Sequence, residues 1–225
     1  MTGSSNKPIR DPAICAVAFH ADAGPGASAA LPPAVAAAYD VVRDARGRVS
    51  PMYQAMSGTP GVVGPAHHLY LAVLHDDACP LAQWRRELIA TAAARLAGSA
   101  YSATHHGANF RDFFVAAGAG DATAADDVLA ALDSPDDPSS ALARLDGLDG
   151  ATRAMLAYTT KLSLDPAACG PADLDALRRA GLDDGAISWL IQIVSAFAYF
   201  ARMLQGLDVQ LGNEPIGLKG WAEEA

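Results

Sequence analysis

The residues with the best claim to chemistry lie between Glu87 and His106. Ser99 and Ser102 are three apart, His106 follows four later, and Glu87 stands eleven intervening residues before Ser99. On a helix beginning at Ser99 these spacings put Ser99, Ser102 and His106 on one face. Both serines then occupy the first turn, where unpaired backbone N–H groups and the positive end of the helix dipole stabilise negative charge. Glu87 belongs to the preceding helix, and the short Gly98-Ser99 connection folds that helix back alongside. Carboxylate, imidazole and two hydroxyls can therefore converge. One reading is a proton relay, with Glu87 orienting His106 and His106 serving the group at position 102. The other is purely local: Ser99 caps the helix, Ser102 bonds back within its own turn, and His106 is a satisfied, partly buried histidine. Tyr101 and His105, which share the stretch, either support the site or pack.

The elements that must hold these residues read as helices. Pro32 and Pro33 open a helix through Val35, Tyr39 and Val42 that Gly47 closes. Ser50-Pro51 starts a short helix that Gly58 and Pro60 stop, and Pro65 to His75 carries Leu69, Tyr70, Val73 and Leu74 on one stripe. Pro80 opens the helix bearing Trp84, Leu88 and Ala92; Ser99 caps the next, which runs towards Gly118; Asp121 to Leu132 forms another. Ser134 to Ser140, SPDDPSS, reads as the mid-chain connection. Helices over Met155 to Leu164, Pro171 to Ala180 and Ala186 to Leu204 complete the chain. No alternating strand pattern competes, so the expected class is all-α. Residues 1–30 read as an N-terminal arm or loosely packed strand. Residues 31–225 read as one helical domain with a site-bearing half (47–118) and a second half (141–211). These halves share a plan about a hundred residues apart, and the second lacks the serines, histidines and glutamate.

Composition narrows the function classes. Half of the 225 residues are apolar, 18% are charged and the formal charge is −9. That surface disfavours nucleic acid and anionic membranes, which require a basic face. Cys15, Cys79 and Cys169 are widely spaced and odd in number, which fits a reducing cytoplasm better than a disulfide framework. The N-terminus lacks the basic-then-apolar layout of a signal peptide. Ala186 to Leu204 approaches the length of a membrane span, yet Ser188, Gln192, Ser195 and Arg202 within it favour a helix buried in the middle of a bundle. His67, His68, His75, His105 and His106 could suggest a metal; His68 and His75 share a helix face. Sequence neighbours point apart, however, and no cysteine or carboxylate cluster joins them, so no metal or other cofactor is expected.

The run RRELIATAAARLAGSAYSATHHGANF, Arg85 to Phe110, resembles the signature of the alkylhydroperoxidase D and carboxymuconolactone decarboxylase family, in its peroxidase-related branch. That signature is a Glu, eleven residues, then Cys-x-x-Cys-x-x-x-His. Here the spacing is kept from Glu87 to His106, and Ser99 and Ser102 stand at the two cysteine positions. GRVSPMYQAMSGTP, HLYLAVLHDDACPLAQWRRE and the closing run Leu177 to Leu207 extend the resemblance over about four-fifths of the chain.

The resemblance implies an all-α homo-oligomer, dimer to hexamer, with a possible small-molecule ligand. It also implies a peroxidase in which one thiolate attacks peroxide oxygen and the second cysteine resolves the sulfenic acid to a disulfide. A serine hydroxyl is far less acidic, is a poor nucleophile towards peroxide and forms no disulfide. Loss of thiol-peroxidase turnover is therefore expected. Four readings remain: a protein that keeps the fold and a ligand pocket without the redox step; non-redox acid–base chemistry by Glu87 and His106, of decarboxylase or isomerase type; a peroxidase whose two cysteines were changed to serine to hold it unreactive; and a hydrolytic Glu87-His106-Ser102 triad, for which no GxSxG elbow is present.

Overall fold

The computed structural model describes residues 7–22, 24, 31–44, 47–133 and 148–218. Among these the helices are α1 (Pro33–Val42), α2 (Pro51–Ala55), α3 (Pro60–Leu74), α4 (Gln83–Leu96), α5 (Ala100–Ala116), α6 (Ala122–Leu132), α7 (Gly150–Leu164), α8 (Pro171–Arg179) and α9 (Asp184–Gly206). Single 3₁₀ turns follow α2 and α7. The one extended pairing among the described residues is an antiparallel bridge between Ile9 and Phe19. The class is all-α. The connection Ser134 to Ser140 lies outside the described residues.

The chain forms two compact units. One holds the N-terminal residues to Ala72 together with Met203–Glu214. Here Cys15 and Phe19 are buried, as are Val35 and Tyr39 of α1, and the Ala16 amide donates to the Leu207 carbonyl at 3.0 Å. Within residues 9–19, Cys15 and Phe19 are buried while Ile9 is exposed. Asp22 is a polar anchor, accepting from Arg43 Nη1 at 2.9 Å and from the Val49 amide at 2.9 Å. Helix α3 begins at Pro60, five residues before the start that Pro65 suggests, and carries Pro65 inside it. A proline there removes the bond to the Gly61 carbonyl and crowds that carbonyl with its ring. Its buried stripe is Val63, Ala66, Val73 and Leu74, whereas Leu69 is exposed.

The other unit, Val73–Arg202 with the segment from Pro215, holds the candidate site. Its core is Trp84, Leu88 and Ala92 of α4 with Phe110 and Phe114 of α5, Val128 of α6 and Leu156 of α7. Helix α4 is the helix buried on all sides: every residue from Arg86 to Ala94 is enclosed. The sequence offers that place to α9, which is the described helix long and apolar enough to cross a membrane. Instead α9 is two-faced, with Ser188, Gln192, Ser195, Tyr199 and Arg202 along its exposed stripe and Leu190, Ile193, Val194, Phe197 and Phe200 buried.

Helices α4 and α5 are joined by a single tight turn. Gly98 takes φ +73°, the Ser99 amide donates back to Ala94 at 2.9 Å, and the Gly98 amide donates to Arg95 at 2.8 Å. This glycine-terminated cap satisfies the last carbonyls of α4 with a backbone conformation that a side chain at 98 would strain. Ser99 then caps α5 at once, its side-chain oxygen accepting from the Ser102 amide. Such a cap contributes about 1 kcal/mol. The two helices lie in extensive contact along their lengths, which brings the middle of α4 against the first turns of α5.

Candidate functional site

Glu87 and His106 meet inside this hairpin. The side chain of Glu87 is 0% exposed, that of His106 11%, and His106 Nδ1 lies 2.7 Å from Glu87 Oε2. A buried carboxylate at that distance takes the proton-bearing nitrogen as its partner, so His106 Nδ1–H donates to Glu87 Oε2. That bond fixes the tautomer and leaves Nε2 as the basic nitrogen. The second carboxylate oxygen, Oε1, accepts from Gln83 Nε2 one turn earlier on α4, at a long 3.4 Å. The Thr91 hydroxyl donates to the Glu87 carbonyl at 2.7 Å and so fixes the backbone below the carboxylate. Phe197 of α9 stands edge-on to the imidazole, ring centroids 4.6 Å apart at 90°, and holds its plane.

Ser99 and Ser102 are both buried, at 2% and 5% exposure. They share the face of α5 that carries His106, and Ser102 is four residues before it. Ser99 Oγ and the Ser102 amide are 3.5 Å apart, a loose cap. Ser99 also lines an open cavity of about 370 Å³ with Arg95, Thr104 and Asp133. Within it Arg95 is ion-paired to Asp133 at 3.1 Å. Glu87, Ser102 and His106 do not line this cavity.

Tyr101 and His105 are turned to each other, with ring centroids 4.8 Å apart. His105 Nδ1 accepts from the Gly217 amide at 3.2 Å, and Asn109 Oδ1 accepts from the Leu218 amide at 2.6 Å. Gly217 has φ +68°, and a Cβ there would come within 2.8 Å of Asn109 Oδ1. His106 is thus the histidine of the buried pair, and His105 anchors the segment Pro215–Leu218 on α5.

The remaining singled-out residues lie elsewhere. His67 Nδ1 is 2.9 Å from the Tyr53 hydroxyl, and among the described residues no three His, Cys, Asp or Glu side chains converge as metal ligands would. Burial raises the thiols of Cys15 and Cys79 above their ordinary value, which disfavours thiolate. Sequence spacing did not single out Gln83, Phe197 or Arg86. Gln83 could have been found four residues before Glu87; Phe197, ninety-one residues from His106, carries no local signal.

No family model matches the chain, and no curated protein matches it in sequence. Solved structures do match in fold. An alkylhydroperoxidase D core structure, an uncharacterised peroxidase-related protein from Ralstonia eutropha, is similar with a TM-score of 0.62 and 21% identity, over 83% of this chain and 90% of that one. A peroxidase-related protein from Silicibacter is similar with a TM-score of 0.65 and 18% identity, over 95% and 96%. A cysteine-to-alanine variant of the debrominase Bmp8 in complex with 2,3,4-tribromopyrrole is similar with a TM-score of 0.57 and 15% identity, over 92% and 94%. The chain has the alkylhydroperoxidase D-like fold.

Proposed function

We propose that this chain is an alkylhydroperoxidase D-type protein that has lost the thiol-peroxidase step and keeps a small-molecule site built on the Glu87–His106 pair. The observation that carries this reading is the 2.7 Å bond between a fully buried carboxylate and an imidazole, placed on the helix face that bears two hydroxyls where the resemblance calls for thiols. A hydroxyl at Ser102 gives no thiolate and no sulfenic acid, so the electron pair that would break a peroxide O–O bond is missing. What remains is a base, His106 Nε2, backed by a carboxylate that stabilises the imidazolium once a proton is taken. That is equipment for moving a proton on a bound ligand, as in a decarboxylase or isomerase.

A protein of this fold is known in complex with 2,3,4-tribromopyrrole while a cysteine of its own is replaced by alanine, so small halogenated or aromatic heterocycles are the first class to screen. The hydrolytic alternative is weaker, because no GxSxG elbow is present. Homo-oligomeric assembly, carried by the resemblance, is checked by light scattering on the purified chain.

The test is paired. Wild-type protein with peroxide and a dithiol reductant is expected to consume peroxide at the background rate, and Ser99→Cys/Ser102→Cys protein above it. Thiol-dependent turnover by the wild type would overturn the reading.

A further inference from the structure

The segment Pro215–Leu218 returns to α5, with which it shares a compact unit, and is bound there by side chains. The Gly217 amide donates to His105 Nδ1 at 3.2 Å, and the Leu218 amide donates to Asn109 Oδ1 at 2.6 Å. His105 and Asn109 are four residues apart, so they stand one above the other on a single face of the helix. Gly217 is buried, whereas Ile216 and Leu218 on either side of it are 37% and 42% exposed. The flanking side chains thus bury little, and the two hydrogen bonds are the directional hold on the segment. The fit at Gly217 is close: a Cβ there would stand 2.8 Å from Asn109 Oδ1 and 3.2 Å from Ala108 Cβ. Leu218 also walls a cavity of about 500 Å³ together with Phe113, Val115 and Ala122.

We propose that Pro215–Leu218 is a pH-released strap, docked on α5 while the His105 imidazole is neutral and freed when that imidazole takes a proton. The Gly217 amide needs a lone pair on His105 Nδ1, so the docked state holds the neutral ring with its proton on Nε2. In the imidazolium both ring nitrogens carry protons, and turning the ring over restores no acceptor. The Gly217 amide would then be a buried donor without its acceptor, which is costly. The Asn109 carboxamide does not titrate, so the pH dependence enters through His105. Docked, the chain binds one proton fewer than when released; docking is therefore present at higher pH and weakens as pH falls. Tyr101, one turn earlier on α5, is the titratable group described against the His105 ring, and from the strap the ring meets backbone. Arg111 and Asp112, the charged residues of α5, lie about two turns further on, Arg111 ion-paired to Asp126 of α6 at 2.9 Å. Release takes away the Leu218 wall of the cavity. The strap requires nothing of the Glu87–His106 pair and stands or falls apart from it.

Amide exchange followed by NMR on the full chain tests this, between about pH 7.5 and about pH 5, the range in which histidine changes charge. Rates are taken as protection relative to an unstructured chain, which removes the intrinsic pH dependence of exchange. In the wild type, protection at Gly217 and Leu218 is expected to fall about tenfold for each pH unit below the midpoint of the His105 ring titration. Leu218 is the critical amide: its acceptor does not titrate, so its loss reports release of the strap and not of one bond. Phe110, in the middle of α5, is expected to keep its protection throughout. His105→Asn puts a neutral carbonyl oxygen near the place of Nδ1 and is expected to keep both strap amides protected down to about pH 5. Protection at Leu218 that ignores the His105 titration overturns the proposal, as does its loss to the same extent in His105→Asn. Loss that includes Phe110 also overturns it, since that is acid unfolding of the helix. Should His105→Asn not fold, the wild-type profiles of Gly217, Leu218 and Phe110 decide the question alone.

Discussion

Removing His106 strands a carboxylate that has almost nothing else to bind. Glu87 is 0% exposed, and apart from His106 its described side-chain partner is Gln83 Nε2 at 3.4 Å, the weak end of the hydrogen-bond range. Removing the donor of a hydrogen bond to a buried carboxylate costs about 3 kcal/mol or more, because the charge is left without its partner. His106→Ala is therefore expected to lower unfolding stability at pH 7 by about that amount. Part of this is loss of the edge contact with Phe197, so His106→Gln serves as a filled control. Glu87→Gln removes the charge itself and is expected to cost only about 1–2 kcal/mol, as for a neutral buried hydrogen bond. The double variant His106→Ala/Glu87→Gln should then be more stable than His106→Ala alone. Lowering the pH towards 5 should also recover part of the His106→Ala deficit, since protonation neutralises the stranded carboxylate. Urea unfolding of the wild type and the four variants at two pH values measures all of this. A His106→Ala cost below about 1 kcal/mol, or a double variant less stable than the single, would refute the argument from buried charge.

Arg86 is expected to matter as much for its loop as for the site: Arg86→Met leaves four carbonyls without their donor and should cost at least about 3 kcal/mol in urea unfolding, with faster amide exchange over residues 75–82. Tyr39 gives a separate alkaline signature. Burial raises its pKa from 10.0 to about 12, so its contribution of about 3 kcal/mol is fully present below pH 10 and is lost as pH rises towards 12. Absorbance at 295 nm should show this tyrosine ionising together with unfolding, and Tyr39→Phe should remove that step.

Much of the site was legible because it is local. The spacing of Ser99, Ser102 and His106 fixes one helix face, Gly98 forces the turn, and eleven residues carry the chain back to Glu87; each of these follows from helix geometry alone. The Ser99 cap and the stops at Gly98 and Gly118 are local for the same reason. Helix burial was not legible. Hydropathy favours α9 as the central helix, but α4 holds that place because the polar groups of Arg86, Glu87 and Thr91 are satisfied by backbone and His106 rather than by water. Helix α4 also begins three residues after Pro80, since the Arg86 clamp draws residues 79–82 into a loop. Contacts between distant segments, Phe197 on His106 and Gly217 on His105, leave no trace in any short window.

The proposed centre pairs Glu87 with His106 and carries serine at the two positions where the resemblance calls for cysteine. The most direct measurement is peroxide consumption with a dithiol reductant by three proteins: wild type, Ser99→Cys/Ser102→Cys, and that double variant carrying Glu87→Gln. The account predicts background rates for the wild type, a gain on restoring the cysteines, and loss of that gain when Glu87 is neutralised. Thiol-dependent turnover in the wild type, or a gain indifferent to Glu87, would contradict it.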